Sequence, residues 1–345
     1  MKKPLIYDLE YKNLGEILQA WDEPAYRTEQ VWQGIYQHYW AVEDDFTTLP
    51  IELRKKLFSH FSFQHLEPIQ TMSSSDGETE KTLFHLPDGH PVETVRMRYE
   101  KRLTLCVSTQ SGCAMGCVFC ATGQIGFLRN LTSGEIIEQI LYYARAFKKR
   151  KKRMTNIVFM GMGEPFHNYD NLMAALDRLQ DPEGMNIGAR RFTISTVGLI
   201  PGIKRLAEER RQVNLAVSLH AAEDTLRTSL LPINKKYPIE DLISALREYT
   251  KVTRRRVTIE WALIESVNDS PEQAQRLAAL LEGLLAHVNV IPLNPTDKYP
   301  GEASPHERSK QFKDILEKHG IPCTIRLRRG IDIQAGCGQL AAKIK

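Results

Sequence analysis

Apolar positions recur at helical spacing through residues 30–39 (QVWQGIYQHY), and residues 51–58 repeat the pattern just after the breaker Pro50. The first 70 residues therefore read as a helical segment with a polar surface. A Ser/Asp/Gly stretch at 73–77 marks a change of structure. Beyond it, two alternating runs at 81–86 and 92–99 flank a turn containing Asp88-Gly89, which predicts a β-hairpin. From about residue 101 the pattern becomes strand, helix, strand, helix. Strands are expected at 103–109, 156–160, 191–196, 213–219, 257–263 and 288–293, and a last one at 323–327. Helix starts are legible between them. Thr132 to Glu135 and Ser304 to Glu307 have the form of capping boxes, and Ser270-Pro271 puts proline just inside a helix start. Six β/α repeats predict an α/β chain with a parallel sheet or an incomplete barrel. The expected divisions are a helical accessory domain over 1–70, a hairpin linker over 71–100, the β/α unit over 101–295 and a C-terminal extension over 296–345.

The chain has 345 residues, 42% of them hydrophobic and 26% charged, so disorder, collagen-like repetition and a disulfide scaffold are excluded. No apolar stretch approaches the roughly 18–20 residues of a membrane-spanning helix. The opening MKKPLIYDLEYK lacks the apolar centre of a signal peptide. A soluble, cytoplasmic protein with no membrane partner is expected. The net charge is only +4, but bases cluster as KKRKKR at 148–153, as three arginines at 254–256 and around Arg326 to Arg329. One such run is usually a solvated helix end. Three in a modestly basic chain point to a polyanionic partner.

The six cysteines are unevenly placed, three of them in SGCAMGCVFCATG at 111–123. Cys113, Cys117 and Cys120 are spaced C-x3-C-x2-C in a glycine-bearing loop just after the first strand of the β/α unit. Closed structural zinc sites want four ligands, usually as two separated pairs. Three thiolates in one loop suit a four-iron cluster with one iron left open, whereas four cysteines would close it. Phe119 beside the last cysteine would keep solvent away. The alternative is a zinc site with Cys106 as fourth ligand.

This spacing after a first barrel strand resembles the radical S-adenosylmethionine (SAM) superfamily. The resemblance implies a partial (β/α)6 barrel, a [4Fe-4S] cluster on the three cysteines, and SAM bound to the open iron through its amino and carboxylate groups. Further residues at expected strand ends suit such a ligand: Gly163 and Glu164 in GMGEP, Ser195, then Ser218, Leu219 and His220, and Asn294. All would sit at the C-terminal mouth of a barrel. Glu164 suits the ammonium group, and Ser195, Ser218 and Asn294 suit the carboxylate, ribose or adenine. Singly, each is more often a turn or cap residue.

Near the end of the chain, Cys337 stands between two glycines in GIDIQAGCGQL, which permits unusual backbone angles and mobility. Cys323 reads instead as a core residue of the last strand. Cys106 shares a strand face with Thr104 and Ser108, facing the barrel interior. With EPAYR at 23–27, MGMGEP, STVG and PIN at 232–234, the chain closely resembles the RNA adenine C2-methyltransferases over nearly its whole length. It has Gly336 where that ending would carry alanine.

The resemblance implies a mechanism. Cys337 takes a methyl group from one SAM, a radical from a second SAM activates it, and the carbon adds to adenine C2. Cys106 then attacks the Cys337 sulfur to give a transient disulfide that frees the base. Glu93 is implied as the acceptor of the ring proton. On sequence it shares a strand face with Val95 and Met97, where a lone carboxylate is driven toward the neutral form. The competing reading pairs Glu93 with Arg96 or Arg98. The resemblance also implies 23S ribosomal RNA and transfer RNA as substrates, a flavodoxin- or ferredoxin-like electron donor, and a monomer. An unpaired or flipped nucleotide is expected at the mouth. Two other functions compete: methylation at adenine C8, as in the related antibiotic-resistance enzymes, and a non-catalytic RNA-binding protein holding zinc.

Overall fold

The computed structural model describes residues 3–341. Helices α1 (Tyr11–Ala20), α2 (Tyr26–Tyr36) and α3 (Ile51–His60) open the chain. Helix α2 starts before the predicted segment and stops short of its end, because Tyr39 turns to φ +61°, which a helix cannot continue through. Three antiparallel strands follow: β1 (Glu67–Ser73), β2 (Thr79–His85) and β3 (Pro91–Tyr99). Strands β2 and β3 are the predicted hairpin. Strand β1 was not predicted, and it begins inside the segment expected to be helical. It is an edge strand, exposed or half-exposed throughout, so it has no apolar alternation to read.

The β/α part begins with β4 (Arg102–Cys106). A small hairpin then forms from β5 (Gln110–Gly112), α4 (Ala121–Ile125) and β6 (Phe127–Asn130). The remainder is α5 (Ser133–Lys149), β7 (Asn156–Phe159), α6 (Tyr169–Gln180), β8 (Phe192–Thr196), α7 (Ile200–Glu208), β9 (Asn214–Ser218), α8 (Asp224–Leu230), α9 (Ile239–Thr253), β10 (Val257–Leu263), α10 (Pro271–Leu281), β11 (Ala286–Pro292), α11 (His306–Lys318) and β12 (Cys323–Ile325). One sheet runs in the order β1-β2-β3-β4-β7-β8-β9-β10-β11-β12. Its pairings are antiparallel up to β4 and parallel from there on. All six predicted β/α strands are present, and β12 adds a seventh parallel strand at the edge.

Two of the three predicted helix starts hold. Thr132 and Glu135 form a reciprocal capping box, and Ser270 accepts from the Gln273 amide. The third does not. Helix α11 begins at His306 without a side-chain cap, and the Ser304 hydroxyl donates to Asp269 instead, at 2.7 Å. Tertiary pairing takes that hydroxyl away from the helix end.

The N-terminal helices do not have a core of their own. Leu14, Val31, Trp32, Leu53 and Leu57 belong to the same buried cluster as Ile137 and Leu141 of α5 and Leu172 of α6. Polar contacts secure the junction: Asp8 accepts from the Gly134 amide at the start of α5 at 2.7 Å, and Arg178 donates to the Tyr7 carbonyl at 2.7 Å. Cys323 is buried in this core, as expected. Among the described residues no helix is long and apolar enough to cross a membrane.

Candidate active site

A cavity opens at the C-terminal ends of the parallel strands, and most of the predicted residues meet there. Cys113, Cys117, Cys120, Gly163, Glu164, Ser195, Ser218, His220, Asn294 and Cys337 all line it. The cysteine loop is held as the loop of the β5–β6 hairpin, a device that the sequence pattern did not reveal. Phe119 packs edge-on against His220, with ring centres 5.0 Å apart, and closes one side. Burial pushes the Cys113 thiol up to about 12 and Cys117 well above its ordinary value, and the neighbouring Cys120 adds to both shifts. Such thiols ionise when a bound cation takes up their charge. Among the described residues no three His, Cys, Asp or Glu side chains converge tightly enough for a single metal ion. The three thiols line one cavity, the donor set that an iron–sulfur cluster with one open iron would use. Cys106 packs with Val95, Met162, Ile333, Ala335 and Leu340 and does not line the cavity that the three cysteines share.

Each SAM-contact candidate has a distinct local anchor. Glu164 is buried, and its carboxylate accepts from the amides of Phe166 at 3.0 Å and Val197 at 2.9 Å. Burial nonetheless outweighs these bonds and pushes its pKa up to about 7. Gly163 has φ +100°, and a side chain there would strike Gln110, whose own side chain accepts from the Glu164 amide. His220 accepts from the Ala262 amide through Nδ1, which leaves the proton on Nε2. Burial, with Arg227 nearby, lowers its pKa to about 3, so the ring stays neutral. The Asn294 amide donates to the Cys337 carbonyl at 3.0 Å, while its buried Oδ1 has no partner. Gly336 lies against that amide. A methyl group there would approach only the ends of the Asn294 and Gln339 side chains, which can yield.

Leu219 departs from expectation. Its side chain is fully buried in the main core and does not line the cavity, because strand alternation turns it away from Ser218 and His220. The partner of Glu93 also differs: its ion pair is with Lys81 at 2.8 Å, whereas Arg96 and Arg98 pair with Glu80 and Glu78. Lys81 further donates to the Gln334 carbonyl at 3.1 Å, tying the hairpin to the loop that carries Cys337. Glu93 and Val95 share a face of β3, and Val95 lies opposite Cys106 on β4.

Cys106 and Cys337, far apart in sequence, come within electrostatic reach of each other. The Cys337 loop packs on Cys106 through Ile333 and Ala335. Burial, reinforced by Cys337, pushes Cys106 up to about 12. Cys337 keeps solvent-accessible surface, but that surface faces the cavity with protein around it. Burial raises its pKa and Arg326 pulls it back. Two residues near this site were not assigned to it from the sequence: Arg326, read only as part of a basic cluster, and Glu260. A carboxylate in the apolar run VTIEWAL of a parallel strand buried on both faces was the available signal for the second.

Residues 107–278 match the radical SAM superfamily, and residues 6–62 match the ribosomal RNA large subunit methyltransferase N-terminal domain. The chain is 49% identical to the probable dual-specificity RNA methyltransferase RlmN of Chloroflexus aurantiacus, covering 99% of this chain and 94% of that one. It is 47% identical to dual-specificity RNA methyltransferase RlmN 1 of Myxococcus xanthus, over 99% and 95%. A solved radical SAM methyltransferase from Sphaerobacter thermophilus superposes with a TM-score of 0.96 at 50% identity, over 99% of this chain and 100% of that one. With similarity of this extent, and with the cysteine loop and the cavity in place, the chain belongs to the RlmN family of radical SAM RNA methyltransferases.

Proposed function

We propose that this protein methylates C2 of an adenine in 23S ribosomal RNA and in transfer RNA, carrying the methyl group on Cys337 and releasing the product through a transient Cys106–Cys337 disulfide. The observation that carries this reading is that Cys337 lines the cavity of the three-cysteine loop while its own loop packs, through Ile333 and Ala335, on Cys106. Cys113, Cys117 and Cys120 would hold the cluster, and Glu164, Ser195, Ser218, His220 and Asn294 would surround SAM. When bound, that pair supplies a 5′-deoxyadenosyl radical able to take hydrogen from a methyl group on Cys337.

The remaining work falls to the chain itself. Cys337, as thiolate, attacks the methyl carbon of a first SAM, and S-adenosylhomocysteine leaves as the thioether. Arg326 favours the thiolate against burial. Once the carbon is joined to the ring, Glu93 accepts the C2 proton, and its pairing with Lys81 holds it in place. Cys106 then attacks the Cys337 sulfur, the sulfur–methylene bond breaks, the freed carbon takes up a proton and the methylated base leaves; the one electron left over would be taken by the cluster that Cys113, Cys117 and Cys120 would hold. A flavodoxin- or ferredoxin-like donor would restore the thiols. RNA would be drawn in by charge, so binding should weaken with salt.

Nucleoside mass spectrometry on unmodified ribosomal and transfer RNA, after anaerobic reaction with reconstituted protein, SAM and a reductant, tests this. 2-Methyladenosine is expected, and the RNA pool that carries it identifies the substrate. 8-Methyladenosine would replace the C2 reading with a C8 one. SAM cleavage without either product would leave the radical chemistry and remove the substrate.

A further inference from the structure

The cavity contains a carboxylate that the reaction scheme above does not use. Glu260 lies in the middle of β10 and is only 4% exposed, yet it lines the same cavity as the cysteine loop. Its Oε1 accepts from the Asn289 amide on the adjacent strand at 3.0 Å. Its Oε2 is buried and has no partner. A buried carboxylate oxygen without a donor is costly, and native structures rarely leave one so unless something else supplies the donor. Arg326 favours the charged form against burial without forming a contact ion pair.

The register narrows what that donor is. Glu260 is paired with Ser218 on β9, so the two side chains point to the same face of the sheet from adjacent strands. Both line the cavity. Neighbouring parallel strands lie about 4.8 Å apart, so a hydroxyl and a carboxylate oxygen are offered side by side. A vicinal diol presents two adjacent O–H groups and matches such a pair, as acidic residues match ribose hydroxyls in dinucleotide sites. Asn294, whose buried Oδ1 is a further acceptor without a partner, lines the same space, so the cavity calls for a ligand rich in donors.

We infer that Glu260 binds a ribose hydroxyl of SAM, with Ser218 beside it, and so sets the position of the adenosyl group between the cysteine loop and Cys337. This rests on the reading of the cavity as a SAM site.

The test is calorimetric titration of the cluster-reconstituted, anaerobic protein with S-adenosylhomocysteine and with its 2′-deoxy and 3′-deoxy analogues. The titrations are run on wild type, Glu260→Gln and Glu260→Leu. Gln preserves the volume and the Asn289 bond, and retained cluster absorbance and melting temperature confirm folding. In wild type, loss of the contacted hydroxyl should weaken binding about tenfold or more, as for a hydrogen bond to a charged group. In Glu260→Gln that penalty should fall to about threefold or less, and in Glu260→Leu it should vanish. Equal penalties in all three proteins, or no penalty for either hydroxyl in wild type, would overturn the assignment and leave the SAM site standing. Failure of wild type to bind S-adenosylhomocysteine at all would overturn both.

Discussion

At Glu164 the competition between burial and hydrogen bonding has a measurable outcome. Burial outweighs the amides of Phe166 and Val197, and the pKa rises to about 7 from an ordinary carboxylate value. A cationic ligand group binds the ionised form, so protonation competes with it below that pH. Affinity for SAM should therefore rise as pH is raised from about 6 through about 7. Glu164→Gln should bind more weakly and lose the slope; calorimetry across that range checks both. The cysteine pair gives a second outcome at this scale. If Cys106 frees the product by attacking the Cys337 sulfur, Cys106→Ala should leave RNA covalently attached through Cys337. Intact-protein mass spectrometry after nuclease digestion should show a nucleotide adduct, absent when Cys337 is also replaced by alanine. The cluster cysteines were legible because their spacing is local. The partner of Glu93 was not, since Arg96 and Arg98 are its neighbours along β3 whereas Lys81 is its neighbour across β2.

Between elements, the Lys81–Glu93 pair links β2 to β3, and the Lys81 bond to Gln334 ties both to the Cys337 loop. Breaking a buried pair from one side costs about 3–5 kcal/mol, because the other charge stays buried. Lys81→Met should lower stability by that order in urea unfolding. Replacing Glu93 with leucine in the same chain should recover part of the loss, since an apolar pair leaves no buried charge. The β/α alternation was readable because each repeat signals itself over a short window. Strand β1 and the β5–β6 hairpin were not. One is a polar edge strand, and the other is three or four residues per strand, defined by pairing rather than by pattern.

For the molecule as a whole, the order of elements decides where the positive charge sits. The basic run at 148–153 precedes β7, and the arginines at 254–256 precede β10, so both lie at the ends of the parallel strands away from the cavity. Lys148 is also engaged, donating to the His38 carbonyl at 3.0 Å. Any RNA these runs hold is held at a distance from the reacting base. Neutralising Lys149 to Arg153 should weaken RNA binding and lower the salt slope by roughly one per lost phosphate contact. SAM affinity should be unchanged. Filter binding at several salt concentrations, with calorimetry for SAM, checks this; an unaltered slope would remove the run from the RNA surface.

What the sequence by itself determined is what a few neighbouring residues can encode: the C-x3-C-x2-C loop, the caps at Thr132 and Ser270, the β/α rhythm, and the glycine-flanked Cys337. Family resemblance extended that to roles for Cys106 and Glu93. Tertiary structure alone decided that the Cys337 loop packs on Cys106, that Leu219 turns into the core, that Ser304 bonds Asp269 rather than capping α11, and that Glu260 lines the cavity with one oxygen left without a partner. Each of these depends on which distant elements pack together. Burial and hydrogen-bond satisfaction are properties of that packing, and a side chain's neighbours along the chain do not specify them.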